Sequence, residues 1–338
     1  MRAPEFWLRE CWQARLLAPA AWLYGRAAML RERHAHPVAP PVPVLCIGNL
    51  TAGGAGKTPV AIAAARLLLA AGRRPFFLSR GHGGALAGPL RVDPARHASS
   101  DTGDEPLLLA RVAPAIVARD RVAGARLAAA EGADCIVMDD GLQNPSLAKT
   151  LRLVVVDGAT GFGNGRAMPA GPLRAPLAHG LSLADGFALV GEDRRGLAAA
   201  LAAGGPDRPG PAAARPARPP GRRATLEPSA EDAARLRGRR LLAFAGIGRP
   251  AKFFATLEGC GAELVAREGF ADHHPYREDE VAALRARAEA IGAALATTEK
   301  DMVRIPPSQR RGILVLPVEA RFAPADAQRD VIGGRRGG

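Results

Sequence analysis

The stretch Leu45-Cys-Ile-Gly-Asn-Leu-Thr-Ala-Gly-Gly-Ala-Gly-Lys-Thr-Pro-Val60 leaves this chain few folds to choose from. An apolar run, Val42 to Ile47, predicts a buried strand. A loop holding Gly53, Gly54 and Gly56 follows, and then an alanine-rich helix from Lys57 to about Ala71. Strand, glycine loop and helix in that order make a phosphate cradle, because glycines let backbone N–H groups converge and the helix N-terminus adds its dipole. Thr51, Ala52, Gly53, Gly54, Ala55, Gly56, Lys57 and Thr58 are the expected nucleotide-binding segment. Lys57 would reach the outer phosphates and the Thr58 hydroxyl a magnesium ion, so a polyanion such as ATP is the natural guest. The generic P-loop pattern has glycine where this chain has Thr51, so the motif is met in its tail and missed at its first position. A glycine turn without a ligand is the competing reading.

Strand and helix signals keep alternating beyond the loop. Apolar runs at Arg74–Leu78, Ala115–Ala118, Cys135–Met138 and Leu153–Val156, with a helix beginning at Asp104, predict parallel strands covered on both faces. Such a sheet places ligand loops at the carboxyl ends of its strands. The expected fold class is α/β, a P-loop NTPase-like, mostly parallel sheet flanked by helices, with a second smaller α/β domain and an N-terminal amphipathic helix. Residues 204–223, rich in proline, glycine and arginine, break the pattern and read as a linker or insertion. The expected divisions are 1–37, an N-terminal membrane-interface helix; 38–203, the nucleotide-binding domain; 204–223, the linker; and 224–338, the C-terminal α/β domain, with a frayed tail after Arg321.

The N-terminal segment collects all three tryptophans, Trp7, Trp12 and Trp22, with Tyr24 and several leucines and arginines. Its longest uncharged run, Leu16 to Tyr24, is nine residues and contains Pro19, too short for a bilayer span of about 20. Glu5 and Glu10 and the lack of a small-residue cleavage site argue against a secretory signal. Two readings stand: a helix kinked at Pro19 lying in a membrane interface, or a helix packed on the protein's own core. The 46 basic and 33 acidic residues leave a net charge of +13, nearly all arginine, which suits an anionic membrane surface. Aromatic and basic residues are not interleaved as in nucleic-acid modules, and no nucleic-acid partner is expected. Cys11, Cys46, Cys135 and Cys260 lie far apart without metal-type pairing, which predicts a reduced compartment and no cysteine chemistry.

Three further groups carry chemistry. Ile136 to Gln143 is an apolar strand ending in Asp139 and Asp140, the place where P-loop enzymes hold the magnesium that bridges phosphates. Gly103-Asp-Glu-Pro106 puts Asp104 and Glu105 at a helix entrance; there they either cap free N–H groups, or serve as a base for an attacking hydroxyl and as a metal ligand. Phe270 to Tyr276 carries His273 and His274 beside Asp272, without further ligands at metal spacing, so an acid–base relay is the functional reading. Thr297 to Asp301 adds a mixed-charge cluster at a strand end, for which ion pairing is the plain account.

Taken in order, these motifs resemble the tetraacyldisaccharide 4'-kinase (lipid A 4'-kinase) family of Gram-negative bacteria. The resemblance rests on Val44 to Thr51 with the Gly-Gly-Ala-Gly-Lys-Thr-Pro loop, Ser79-Arg-Gly, Gly103-Asp-Glu-Pro-Leu, Asp139-Asp-Gly-Leu-Gln, Gly161 to Gly165, Pro169 to Arg174, Phe244 to Gly248, Asp272 to Tyr276 and Thr298 to Asp301. It implies transfer of the γ-phosphate of ATP, with magnesium, to the 4'-hydroxyl of an acylated glucosamine disaccharide 1-phosphate at the cytoplasmic face of the inner membrane. It also implies Lys57 on phosphate, Asp104 as general base with His273 as its partner, and Thr58, Glu105 and Asp139 or Asp140 on the metal. Arg80, Gln143 and Arg174 are expected to contact substrate. His82, Asn144, Ala175 and Ala55 depart from the residues common in the family. The main alternative is a membrane-surface P-loop ATPase of the partitioning type, whose second loop lysine is Ala52 here; an inactive nucleotide-binding scaffold would leave Asp104 and His273 idle.

Overall fold

The apolar runs are buried on both faces, as parallel strands under helices must be. In the computed structural model, which describes residues 4–202 and 222–322, Val44 and Cys46 face one layer of the core while Ile47 faces the other. The strands are β1 (Val44–Gly48), β2 (Pro75–Ser79), β3 (Leu90–Arg91), β4 (Ala115–Val117), β5 (Cys135–Asp139), β6 (Leu151–Asp157), β7 (Gly186–Val190) and β8 (Arg222–Glu227). A second set follows: β9 (Arg240–Ala245), β10 (Glu263–Gly269), β11 (Ala294–Thr298) and β12 (Leu314–Leu316), before β13 (Glu319–Phe322). The helices are α1 (Trp12–Leu16), α2 (Ala18–Arg33), α3 (Lys57–Ala70), α4 (Ser99–Thr102), α5 (Asp104–Leu109), α6 (Arg121–Ala130), α7 (Leu177–Leu183), α8 (Leu197–Ala202), α9 (Ala230–Leu236), α10 (Pro250–Gly259), α11 (Glu278–Ala290) and α12 (Glu299–Arg304).

Nine strands form one sheet in the order β13-β8-β7-β6-β1-β5-β2-β4-β3, parallel except at its two edges. The other four form a separate parallel sheet, β10-β9-β11-β12. The α/β class read from the sequence, a mostly parallel sheet flanked by helices, is the one observed. The sheets do not divide at residue 224, however, because β8 and β13 pair with each other and complete the edge of the larger sheet. Sequence patterning could not reveal this, since a strand's partner is not written in its own alternation. Most of the expected 204–223 linker and most of the tail after Arg321 lie outside the described residues. Because β1 and β5 are neighbours in register, the loops after Gly48 and Asp139 leave the sheet side by side.

The N-terminal segment packs on the large-sheet unit through its small residues. Ala21 and Gly25 are buried, and a Cβ at Gly25 would come within 3.0 Å of Pro176. The Trp7 indole N–H donates to Pro169 O at 3.0 Å, Arg31 to Gln143 O at 3.0 Å, and Glu32 pairs with His179 at 2.8 Å. The large apolar side chains point outward instead: Trp12, Leu16, Trp22 and Leu23 are each more than 60% exposed. The break falls at Leu17, and Pro19 sits in the first turn of α2, where its missing N–H costs nothing, so it starts a helix instead of kinking one. Among the described residues no helix is long and apolar enough to cross a membrane.

Candidate active site

Gly56, at φ 85°, turns the chain into α3 without a side chain to cap it. The N-terminus of that 14-residue helix therefore has no side-chain cap, and its dipole favours an anion. A Cβ on Gly53 or Gly54 would meet nothing within 4 Å, so the space over the loop is open. Ala52 N–H donates to Pro172 O at 2.7 Å and Thr51 bridges to Leu173, which ties the front of the loop to the segment carrying Arg174. Lys57 is buried; its Nζ donates to Asn49 Oδ1 at 3.2 Å and lies 3.7 Å from Asp140. The Thr58 hydroxyl donates to Asp139 Oδ2 at 3.1 Å.

The two aspartates at the end of β5 part company. Asp139 is buried, and its Oδ1 has no hydrogen-bond partner among the described residues. Burial, and then the charge of Glu105, push its carboxyl up to about 7. Asp140, at φ 51°, turns toward Arg174, which reaches it at 3.4 Å and also donates to Gln143 Oε1 at 3.4 Å. Gln143 in turn donates to Asn49 O at 2.8 Å. Gln143 and Arg174 thus belong to the frame beside the P-loop. Arg80 is exposed just past β2, apart from this frame and near the buried Arg121.

Across the mouth of the sheet, Gly103 at φ 86° opens α5 and sets its first two residues against the small-sheet unit. Asp104 Oδ2 accepts from Arg304 Nε at 2.9 Å and Nη2 at 2.7 Å, with His273 Nδ1 at 3.3 Å; its Oδ1 accepts from the Glu105 N–H at 3.2 Å. Burial opposes its ionisation, but the His273 hydrogen bond and the charges of Arg304 and Lys300 hold its carboxyl well below the usual range. The same bond to Asp104 raises His273 above the ordinary imidazole value. Asp104 Oδ1 thus takes a first-turn N–H as a capping acid would, while Oδ2 is engaged by the small-sheet unit. His274 is turned away, pairing with Glu280 at 3.2 Å and stacking on Phe270 at 4.7 Å, so one of the two histidines faces the site. The His82 ring meets His273 edge-on, with centroids 5.9 Å apart.

Glu105 joins the two halves. Its Oε1 lies 2.6 Å from Lys300 Nζ, and the Lys300 charge holds its carboxyl low. Helix α5 packs against both α3 and α12, which sets Glu105 between the P-loop cluster and the small-sheet unit; its charge raises Asp139. Of the expected metal-binding set, Thr58 and Asp139 bond each other, Glu105 is held by Lys300, and Asp140 by Arg174 and Lys57. No three His, Cys, Asp or Glu side chains are gathered as a ready metal nest among the described residues. The buried Asp139 Oδ1, without a hydrogen-bond partner among the described residues, and the Thr58 hydroxyl on the same carboxylate are oxygen donors of the kind a divalent cation takes.

Residues 13–333 match the family described as "LpxK: Tetraacyldisaccharide-1-P 4'-kinase". The chain belongs to this family. The tetraacyldisaccharide 4'-kinase of Methylobacterium sp. (strain 4-46) is 54% identical over 333 residues, covering 97% of this chain and 95% of that protein. The one from Methylorubrum extorquens (strain PA1) is 56% identical over 326 residues, covering 96% and 95%. The crystal structure of the "apo" form of LpxK from Aquifex aeolicus in complex with ATP superposes with a TM-score of 0.71, over 94% of this chain and 98% of that one. At 23% identity that likeness speaks to the fold of the family.

The sequence reading missed Arg304, Asn49 and Arg249. Arg249 pairs with Asp157 and donates to Gly54 O at 3.2 Å, tying the loop to the small-sheet unit. Arg304 had one available signal: it falls one turn after Lys300, so both side chains leave the same face of a helix. What that face meets, 200 residues away in the chain, had none.

Proposed function

We infer that this chain transfers the γ-phosphate of ATP to the 4'-hydroxyl of a tetraacyldisaccharide 1-phosphate, the step that makes a lipid A precursor bisphosphorylated. Family membership supports the reaction. The observation that carries the site assignment is the junction of two clusters, with Lys57, Thr58 and Asp139 on one side and Asp104 with His273 on the other, joined through Glu105. Phosphoryl transfer asks a protein for positioning and charge neutralisation more than for covalent chemistry, and a lysine, a metal and one base suffice.

In this reading the open loop from Thr51 to Thr58 cradles the phosphates and Lys57 lies along the outer ones. Asp104 accepts the proton of the sugar hydroxyl, and His273 orients that carboxylate and shares the charge. Thr58, Asp139 and Glu105, with Asp140 nearby, would hold the magnesium ion. When bound, that ion supplies charge neutralisation on the phosphate oxygens. Arg80 and Arg174 supply cationic contacts to the lipid's phosphate or sugar, beside Gln143. The outward tryptophans and leucines of α1 and α2, flanked by arginines, bring the site to an anionic membrane surface at the cytoplasmic side of the inner membrane. The partitioning-type ATPase is not favoured, since the match to the kinase family spans residues 13–333.

The test is direct. Purified protein, detergent-dispersed tetraacyldisaccharide 1-phosphate and γ-labelled ATP should give a labelled bisphosphorylated lipid. Label released only as free phosphate, whatever lipid is added, would overturn the reading.

A further inference from the structure

Helix α12 offers two cations one turn apart to two neighbouring acids of α5, and the two pairs are not alike. Arg304 is almost fully enclosed, with 5% of its side chain exposed, and is braced by Asp301 at 3.0 Å and Gly246 O at 2.8 Å. Asp301 is itself buried and accepts from Tyr276 Oη at 3.0 Å, Gly246 N–H at 2.9 Å and Thr298 Oγ1 at 2.6 Å. The backbone of α12 is thereby anchored. Lys300 is different: its side chain is 32% exposed, and Glu105 is the acceptor it meets, at 2.6 Å. A lysine on a flexible four-carbon stem, with solvent beside it, is free to leave without disturbing the helix.

Helix α5, which carries Glu105, packs against α3 of the P-loop; the Glu105 charge bears on Asp139, whose Oδ1 is buried without a donor among the described residues. A buried carboxylate oxygen without a donor, under the charge of a second carboxylate, calls for a cation. We propose that Lys300 is a positioning residue that holds Glu105 in the metal's place, so that a divalent cation and the Lys300 ammonium compete for this one carboxylate. Metal entry then releases Lys300 from Glu105, while Arg304 keeps α12 docked on Asp104. The inference rests on the kinase reading, which places a divalent cation at Thr58, Asp139 and Glu105.

The experiment is a Mn2+ titration followed by the electron paramagnetic resonance of free Mn2+, with ADP present so that no terminal phosphate is available to engage Lys300. Lys300→Met should bind Mn2+ about tenfold more tightly than the unaltered protein, equivalent to about 1.4 kcal/mol. Lys300→Arg, which keeps the ion pair, should stay close to the unaltered protein, and Lys300→Gln provides a second neutral variant should the methionine protein fold poorly. Equal or weaker Mn2+ binding in the neutral variants, with binding by the unaltered protein intact, overturns the role of Lys300 and leaves the kinase reading standing. Absence of Mn2+ binding in every form, with ADP still bound, overturns the metal site and this inference with it.

Discussion

Arg304 grips Oδ2 of Asp104 through two guanidinium nitrogens, Nε at 2.9 Å and Nη2 at 2.7 Å, while His273 Nδ1 approaches the same oxygen at 3.3 Å. One oxygen thus takes every contact from the small-sheet unit, and Oδ1 is left with a single backbone N–H. In the proposed role as base, Asp104 is held in place by these contacts, and Oδ1 is the oxygen left for the sugar hydroxyl. Replacing Arg304 with alanine should lower kcat by about 10- to 100-fold with the KM for ATP little changed, and Arg304→Lys should recover part of the loss, because the grip is positional. Steady-state kinetics on both variants checks this; a loss confined to the KM for ATP would contradict it.

Asp104 itself is expected to matter more. Asp104→Asn keeps the shape and removes the proton acceptor, so lipid phosphorylation should fall by about 10²- to 10⁴-fold, the range of general base catalysis. Nucleotide binding, followed by calorimetry, should persist, because the proposed phosphate grip is Lys57 and the α3 N-terminus. Lys57→Ala is expected to show the converse, with both nucleotide affinity and turnover reduced, the latter by about 10²- to 10³-fold.

With its carboxyl raised, Asp139 in the proposed metal site should make cation binding depend on pH. With its value near 7 in the folded protein against an ordinary 3.8, the folded state holds this proton more tightly than the unfolded chain between those values. Its contribution to stability is therefore present at low pH and fades as the pH rises through about 7. A cation must displace that proton, so apparent Mg2+ affinity should drop by up to about tenfold per pH unit below 7, and binding at pH 6 should release close to one proton. Calorimetry in buffers of different ionisation enthalpy measures the release. A pH-independent affinity would mean that Asp139 is already ionised.

Backbone freedom at the entrance to α5 gives a stability prediction. Gly103 sits at φ 86°, and a Cβ there would stand 2.5 Å from His82 O. Gly103→Ala should cost about 1–3 kcal/mol and displace Asp104 and Glu105 as well. A lowered thermal midpoint together with reduced turnover is the expected result; a variant as stable and active as the parent would argue against the strain.

The outer face of the N-terminal helices can be changed without touching the inner one. Trp12→Ser, Trp22→Ser and Leu23→Ser together remove exposed apolar surface and leave Ala21, Gly25, Arg31 and Glu32 in their contacts. Co-sedimentation with anionic vesicles should fall sharply while the melting temperature holds. Unchanged sedimentation would remove the membrane role of this face.

What could be read from residues in order was whatever is local. Strand β1, the glycine loop and α3 follow one another within a single supersecondary unit, so spacing alone declared where Gly56, Lys57 and Thr58 stand in the fold. The same held for Asp139 at the end of an apolar strand and for the parallel α/β class. Those features depend on periodicity and on backbone geometry, which each short stretch carries within itself. The pairing of β8 with β13 and the meeting of α5 with α12 were not legible in the chain, and the spacing of His273 and His274 did not by itself separate the two. They bring together positions distant in sequence, and packing selects such partners from many that local chemistry would equally allow. Asp104 was visible as an acid at a helix entrance, but three-dimensional contact made it a gripped carboxylate at the junction of two units, because an ion pair is defined by distance in space and not by distance along the chain.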